Sequence, residues 1–107
     1  MNIVVEGTNV SWVHDGKPCG HGGENIEKAY NLEKYEAVVI IDSGTMYAYN
    51  YNGLIRFIIH SEGAFAFCVK DIDANGYITC YYPTLPNKNY VCVLDWDTGS
   101  IQMKVEA

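Results

Sequence analysis

The chain has 107 residues, 49% of them hydrophobic and 19% charged, with a formal net charge of −6. That balance excludes a disordered chain and fits one domain able to bury a core without metal or disulfide. The seven Lys and Arg are scattered with no two adjacent, which argues against a nucleic-acid polymer or an anionic membrane as partner, since both select clustered cations.

No apolar run approaches the roughly 20 residues of a membrane span. Met1 opens onto Ile3-Val4-Val5 and then Glu6, with neither the basic start nor the long apolar stretch of a secretory leader. The expectation is a cytoplasmic protein whose four cysteines are reduced.

In chain order, turn dipeptides recur at Asp15-Gly16, Ser43-Gly44, Asn52-Gly53, Glu62-Gly63, Asn75-Gly76, Pro86-Asn87 and Thr98-Gly99. The segments between them have strand lengths and are alternating or β-branched. They predict strands near 2–6, 9–14, 36–42, 45–51, 54–60, 64–71, 77–82, 89–96 and 100–105. Ala37-Val38-Val39-Ile40-Ile41 has no polar face and reads as a central strand. Ile101, Met103 and Val105 alternate with Gln102, Lys104 and Glu106, the pattern of a half-buried strand.

One helix is predicted over about 24–34, where Ile26, Ala29 and Tyr30 form an i, i+3, i+4 stripe and acidic residues gather toward the start. The expected fold class is α+β and β-dominated. An antiparallel meander forms a curled sheet, small barrel or sandwich over residues 1–107, and the single helix packs on it.

Asp71-Ile72-Asp73-Ala74-Asn75-Gly76-Tyr77-Ile78 resembles the opening of an EF-hand or dockerin-type calcium loop, which would make Asp71, Asp73 and Asn75 ligands. Position twelve of that pattern is Tyr82 in place of a bidentate Glu, and the flanks read as strands. Asn-Gly between alternating runs is also a strong hairpin signal, and a plain hairpin tip is the favoured reading. Cys19, just before the expected helix, is a candidate nucleophile, with His60 as base and Asp42 or Asp95 to orient it. Cys19, His21 and His14 are possible zinc ligands that lack the paired short spacing of a structural site. No cofactor is implied.

Cys68, Cys80 and Cys92 recur at twelve-residue intervals. A loop closed by Ile72 opposite Gly76 aligns Cys68 with Cys80, whereas a two-residue Asn75-Gly76 loop sets Cys80 opposite Asp71. Ala64 and Ala66 share the face of Cys68.

Nine tyrosines stand out, with Tyr47, Tyr49 and Tyr51 on one face of a strand whose other face carries Met46 and Ala48. Tyr77 and Tyr81 share another face, and Tyr82 and Tyr90 flank the turn at 83–88. Exposed phenol rows suit recognition surfaces. The functional expectation is a non-enzymatic binding or inhibitor protein that docks on a basic macromolecule through Tyr47, Tyr49 and Tyr51, with Asp71, Asp73, Asp95 and Asp97 at hairpin tips. Its size and charge match those of small inhibitors from phages and mobile elements and of immunity proteins. The alternative is a pocket for a nucleotide or sugar, in which Arg56, His14 or Lys70 meets a phosphate.

Overall fold

The computed structural model describes residues 1–60 and 68–107. Strands run β1 Val4–Glu6, β2 Asn9–His14, β3 Lys17–Gly22, β4 Ile26–Leu32, β5 Ala37–Asp42, β6 Thr45–Asn50, β7 Ile55–Ile59, β8 Cys68–Ile72, β9 Tyr77–Tyr82, β10 Leu85–Leu94 and β11 Ile101–Glu106. A 3-10 turn, Glu33–Tyr35, joins β4 to β5. The expected strand over 64–71, the Glu62-Gly63 turn and the Ala64–Ala66 strip lie wholly or partly outside the described residues.

Consecutive strands build three antiparallel sheets, ordered β1-β2-β3, β4-β5-β6-β7 and β11-β10-β9-β8. Tight turns explain this simple meander. His14 pairs with Lys17 and Asp42 with Thr45. The intervening Asp15-Gly16 and Ser43-Gly44 all have positive φ, which matches the twist of two-residue hairpins.

The second sheet lies between the other two. Ala37, Val39, Ile41, Met46 and Ala48 face the third sheet and pack with Ile78, Cys80, Cys92, Leu94 and Trp96. Val38, Ile40 and Tyr49 face the first sheet and pack with Val10 and Trp12. Every residue of β5 is therefore buried, as its unbroken apolar run requires. Arg56 fastens one corner by donating to Asn50 Oδ1 at 2.6 Å and to the carbonyls of Tyr35, Glu36 and Trp96.

The helix expected over 24–34 is instead strand β4 followed by the 3-10 turn. The cause is a β-bulge at Glu27, where Ile26 pairs with Asp42 but Lys28 with Ile41. A bulge adds one residue and reverses the strand's parity. Ile26 and Ala29 thus reach the first-sheet core while Tyr30 and Leu32 reach the other. Helix-like spacing here is an interrupted period of two.

β11 also departs from expectation, since all six of its residues are exposed. Met103 pairs with Val93 and Val105 with Val91, both on the sheet's outer side, while Lys104 pairs with buried Cys92 on the inner side. A bulge shifts Ile101 out of that alternation, opposite Leu94. Met103 and Val105 face outward, the reverse of the half-buried reading.

Candidate functional site

The three rings at 47, 49 and 51 do share one side of the second sheet, but that side is covered by the first sheet. Tyr49 is 7% exposed and belongs to the core, with Tyr47 and Tyr51 packed against it. Trp12 meets Tyr49 edge-on at 5.6 Å, and its indole N–H donates to the Tyr51 carbonyl at 2.9 Å. The Tyr51 hydroxyl donates to Asn31 Oδ1 at 2.6 Å. An open recognition row is therefore corrected to an inter-sheet seam. The covering strands β2 and β3 bring Val10, Trp12, Cys19 and His21 to that seam; period-two alternation at 10 and 12 was the available signal.

At one end of the seam, His21 (β3), Asp42 (β5) and Tyr49 (β6) form a buried chain. His21 Nδ1 lies 2.6 Å from the Tyr49 hydroxyl, and Nε2 lies 2.9 Å from Asp42 Oδ2. A neutral imidazole satisfies every partner if Tyr49 donates to Nδ1 and Nε2–H donates to Asp42. Asp42 also accepts from the amides of Glu24 and Asn25 and from Ser43 Oγ. Burial alone pushes its carboxyl up; the Asn25 amide, His21 and the Glu24 amide outweigh that and hold it below the ordinary carboxylate value. Gly23 makes the arrangement possible, because a Cβ there would collide with the Asp42 carboxylate and come within 2.9 Å of Ile26.

An open depression of about 360 Å³ lies alongside, lined by Gly22, Glu24, Ser43, Thr45 and Tyr47 among others. Burial also raises the Tyr49 phenol above its usual value. The chain ties sheets together, and the groups of Asp42 are committed to it.

Cys19 and His60 are not brought together. No helix follows Cys19, whose thiol points to the Tyr51 carbonyl at 3.6 Å beside the β6–β7 turn. Exposed His60 follows the far end of β7, a strand of roughly 17 Å. Of the proposed orienting acids, Asp42 holds His21, and Asp95 Oδ1 accepts the Asp97 amide within its own turn. Of the phosphate-binding candidates, Arg56 and His14 line one open depression of about 240 Å³ with Asn50 and Tyr51, but the guanidinium donates to the carbonyls of Tyr35 and Glu36, and Lys70 lies apart on β8.

The 71–78 segment is a hairpin. Asp73 N–H donates to the Tyr77 carbonyl, leaving Ala74-Asn75-Gly76 as a three-residue loop. Asp73 Oδ1 accepts from the Asn75 and Tyr77 amides at 2.9 and 3.0 Å, and Asp71 accepts from Tyr30 at 3.4 Å. Among the described residues no group of three His, Cys, Asp or Glu is placed to hold a metal ion. That applies equally to the zinc reading of Cys19, His21 and His14.

Neither expected register of the cysteines occurs. Ile72 pairs with Ile78, and after a bulge Val69 pairs with Cys80 and Cys68 with Tyr81. Cys80 and Cys92 share the buried inner side, while Cys68 falls on the other. Burial, with Cys92 nearby, pushes the Cys80 thiol up to about 11.

Asp73, Asp95 and Asp97 lie on two neighbouring turns at one end of the third sheet, and Asp71 lies on β8, where it pairs with Thr79. Tyr77 pairs with Val93, and Trp96 Nε1 donates to the Gly76 carbonyl at 3.2 Å, so the 73–76 and 95–100 turns are neighbours. Asp71, Asp73 and Asp97 are exposed and Asp95 is half-buried. Segments 71–77 and 93–101 contain no Lys or Arg.

No protein-family model, curated protein or solved structure matches the chain. Among the described residues no helix is long and apolar enough to cross a membrane.

Proposed function

We propose that this is a binding domain that docks on a protein partner with a basic surface, and not a catalyst. The observation that carries the reading is the adjacency of the 73–76 and 95–100 turns, which carry Asp73, Asp95 and Asp97 at one end of the third sheet, with Asp71 on β8 leading into the first of them. Arg56 reaches in to the Trp96 carbonyl and Lys28 to the Lys70 carbonyl, and the four acids outnumber these two cations. Acidic side chains on adjoining turns add to the field of a chain whose net charge is −6, and such a field steers a cationic surface during encounter. The analogy with small acidic inhibitors and immunity proteins rests on size and charge. Tyr47, Tyr49 and Tyr51 support the site only indirectly, by fixing the first sheet to the second.

The test compares the immobilised wild-type protein with Asp73→Lys and Asp97→Lys in native-host extract at low and high salt. A specific partner should be a basic protein, held at low salt, released by high salt and lost from both variants. Retention that ignores salt and both substitutions refutes the proposal.

A further inference from the structure

We infer that the outer face of the third sheet is the contact surface for that partner, and that it receives a basic amphipathic helix. The inference rests on the binding reading above and specifies its surface and its ligand class. Tyr77, Val93 and Met103 lie in one cross-strand row, with Thr79, Val91 and Val105 in the next. None of these residues belongs to either buried cluster. Tyr77 and Met103 are each 50% exposed and Val105 is 46% exposed.

An edge strand would ordinarily turn its apolar positions inward and its lysine to water. β11 does the reverse: Lys104 lies on the inner side, donating to the Tyr82 hydroxyl at 2.6 Å, and Met103 and Val105 face out. With the neighbouring valines and Tyr77 they form a contiguous apolar surface, the feature that marks interaction sites on monomeric folds.

The dimensions and charge narrow the occupant. Three strands span about 10 Å, which is the width of one helix. The rows begin at Tyr77, opposite Asp73 and beside the turn that carries Asp95 and Asp97, so a helix laid on them meets negative charge at one end. A helix with an apolar stripe and lysines or arginines at that end satisfies both features. A second copy fits less well, because each copy carries a charge of −6 and its seven Lys and Arg are scattered along the chain with no two adjacent.

The probe is a synthetic leucine–lysine peptide whose leucines follow a helical stripe, compared with a scrambled peptide of the same composition. Backbone amide shifts of the protein are recorded during titration with each. The amphipathic peptide should bind at least about tenfold more tightly and shift Tyr77, Val91, Val93, Met103 and Val105. Met103→Lys should weaken it by about tenfold, as loss of a central contact does, whereas Val13→Lys on the first sheet should not.

Equal binding of both peptides, or shifts confined to residues outside this face, overturns the inference while leaving the charge-steered reading in place. Failure of both peptides to bind, even at low salt, removes both. Self-association of the protein that Met103→Lys abolishes would assign the face to a second copy and also overturn the inference.

Discussion

Asp42→Ala tests the seam at its most connected point. The carboxylate is 6% exposed and accepts from His21 Nε2 at 2.9 Å, Asn25 N at 3.0 Å, Glu24 N at 3.2 Å and Ser43 Oγ at 3.3 Å. Truncation leaves the buried imidazole N–H and two amides without an acceptor. A hydrogen bond to a charged acceptor contributes about 1.5–3 kcal/mol, so losing the His21 bond together with the two part-buried amide bonds costs at least about 3 kcal/mol, a large part of the roughly 5–15 kcal/mol that holds a domain folded. The Tm should fall by at least about 12 °C.

Asp42→Asn keeps an oxygen for the two amides and lets the imidazole change tautomer, so it should lose only about 1–2 kcal/mol. Tyr49→Phe removes a single hydrogen bond and should lose about 1 kcal/mol. Urea unfolding measures all three, with unchanged slopes and shifted midpoints. An Asp42→Ala protein within about 0.5 kcal/mol of wild type, the range of an ordinary surface change, refutes the description of the seam. The pH dependence follows from the depressed carboxyl of Asp42. Its stabilisation is complete above the unfolded value of about 3.9. It is lost as pH falls through the lower folded value, because the unfolded state then binds more protons. The wild-type advantage over Asp42→Asn should therefore be constant near neutrality and shrink in acid.

Gly23→Ala forces a methyl group onto the Asp42 carboxylate and should destabilise by about 1–3 kcal/mol, measured by the same denaturation. Iodoacetamide on native protein should label half-buried Cys19 and Cys68 well before buried Cys80 and Cys92; with its pKa near 11, Cys80 is only about one part in a thousand thiolate at pH 8. Early labelling of Cys80 would contradict its placement. Calcium should leave the Tm unchanged, because Asp73 is already spent on the amides of its own turn, whereas binding to the folded state would raise it.

Many strand positions and the tight turns between them are legible in the sequence because they depend on local chemistry. Asp15-Gly16 and Ser43-Gly44 specify tight hairpins, and the all-apolar 37–41 run can only sit between two layers. The sequence pattern misleads at two places where one extra residue changes parity. The bulge at Glu27 gives a strand the spacing of a helix, and the bulge near Gln102 separates Ile101 from Met103. The Asn75-Gly76 turn was located correctly, but its loop length, and with it the cysteine register, depended on a backbone bond from Asp73 to Tyr77.

The sequence by itself determined that Tyr47, Tyr49 and Tyr51 share one face, since side chains alternate along any strand. Which faces meet another layer is a tertiary matter, because alternation separates two sides without labelling either one as the interior. Packing of β2 and β3 on the second sheet closed the tyrosine side. The stacking of the sheets left Met103 and Val105 facing out, and strand pairing set the acidic 73–76 and 95–100 turns side by side at one end.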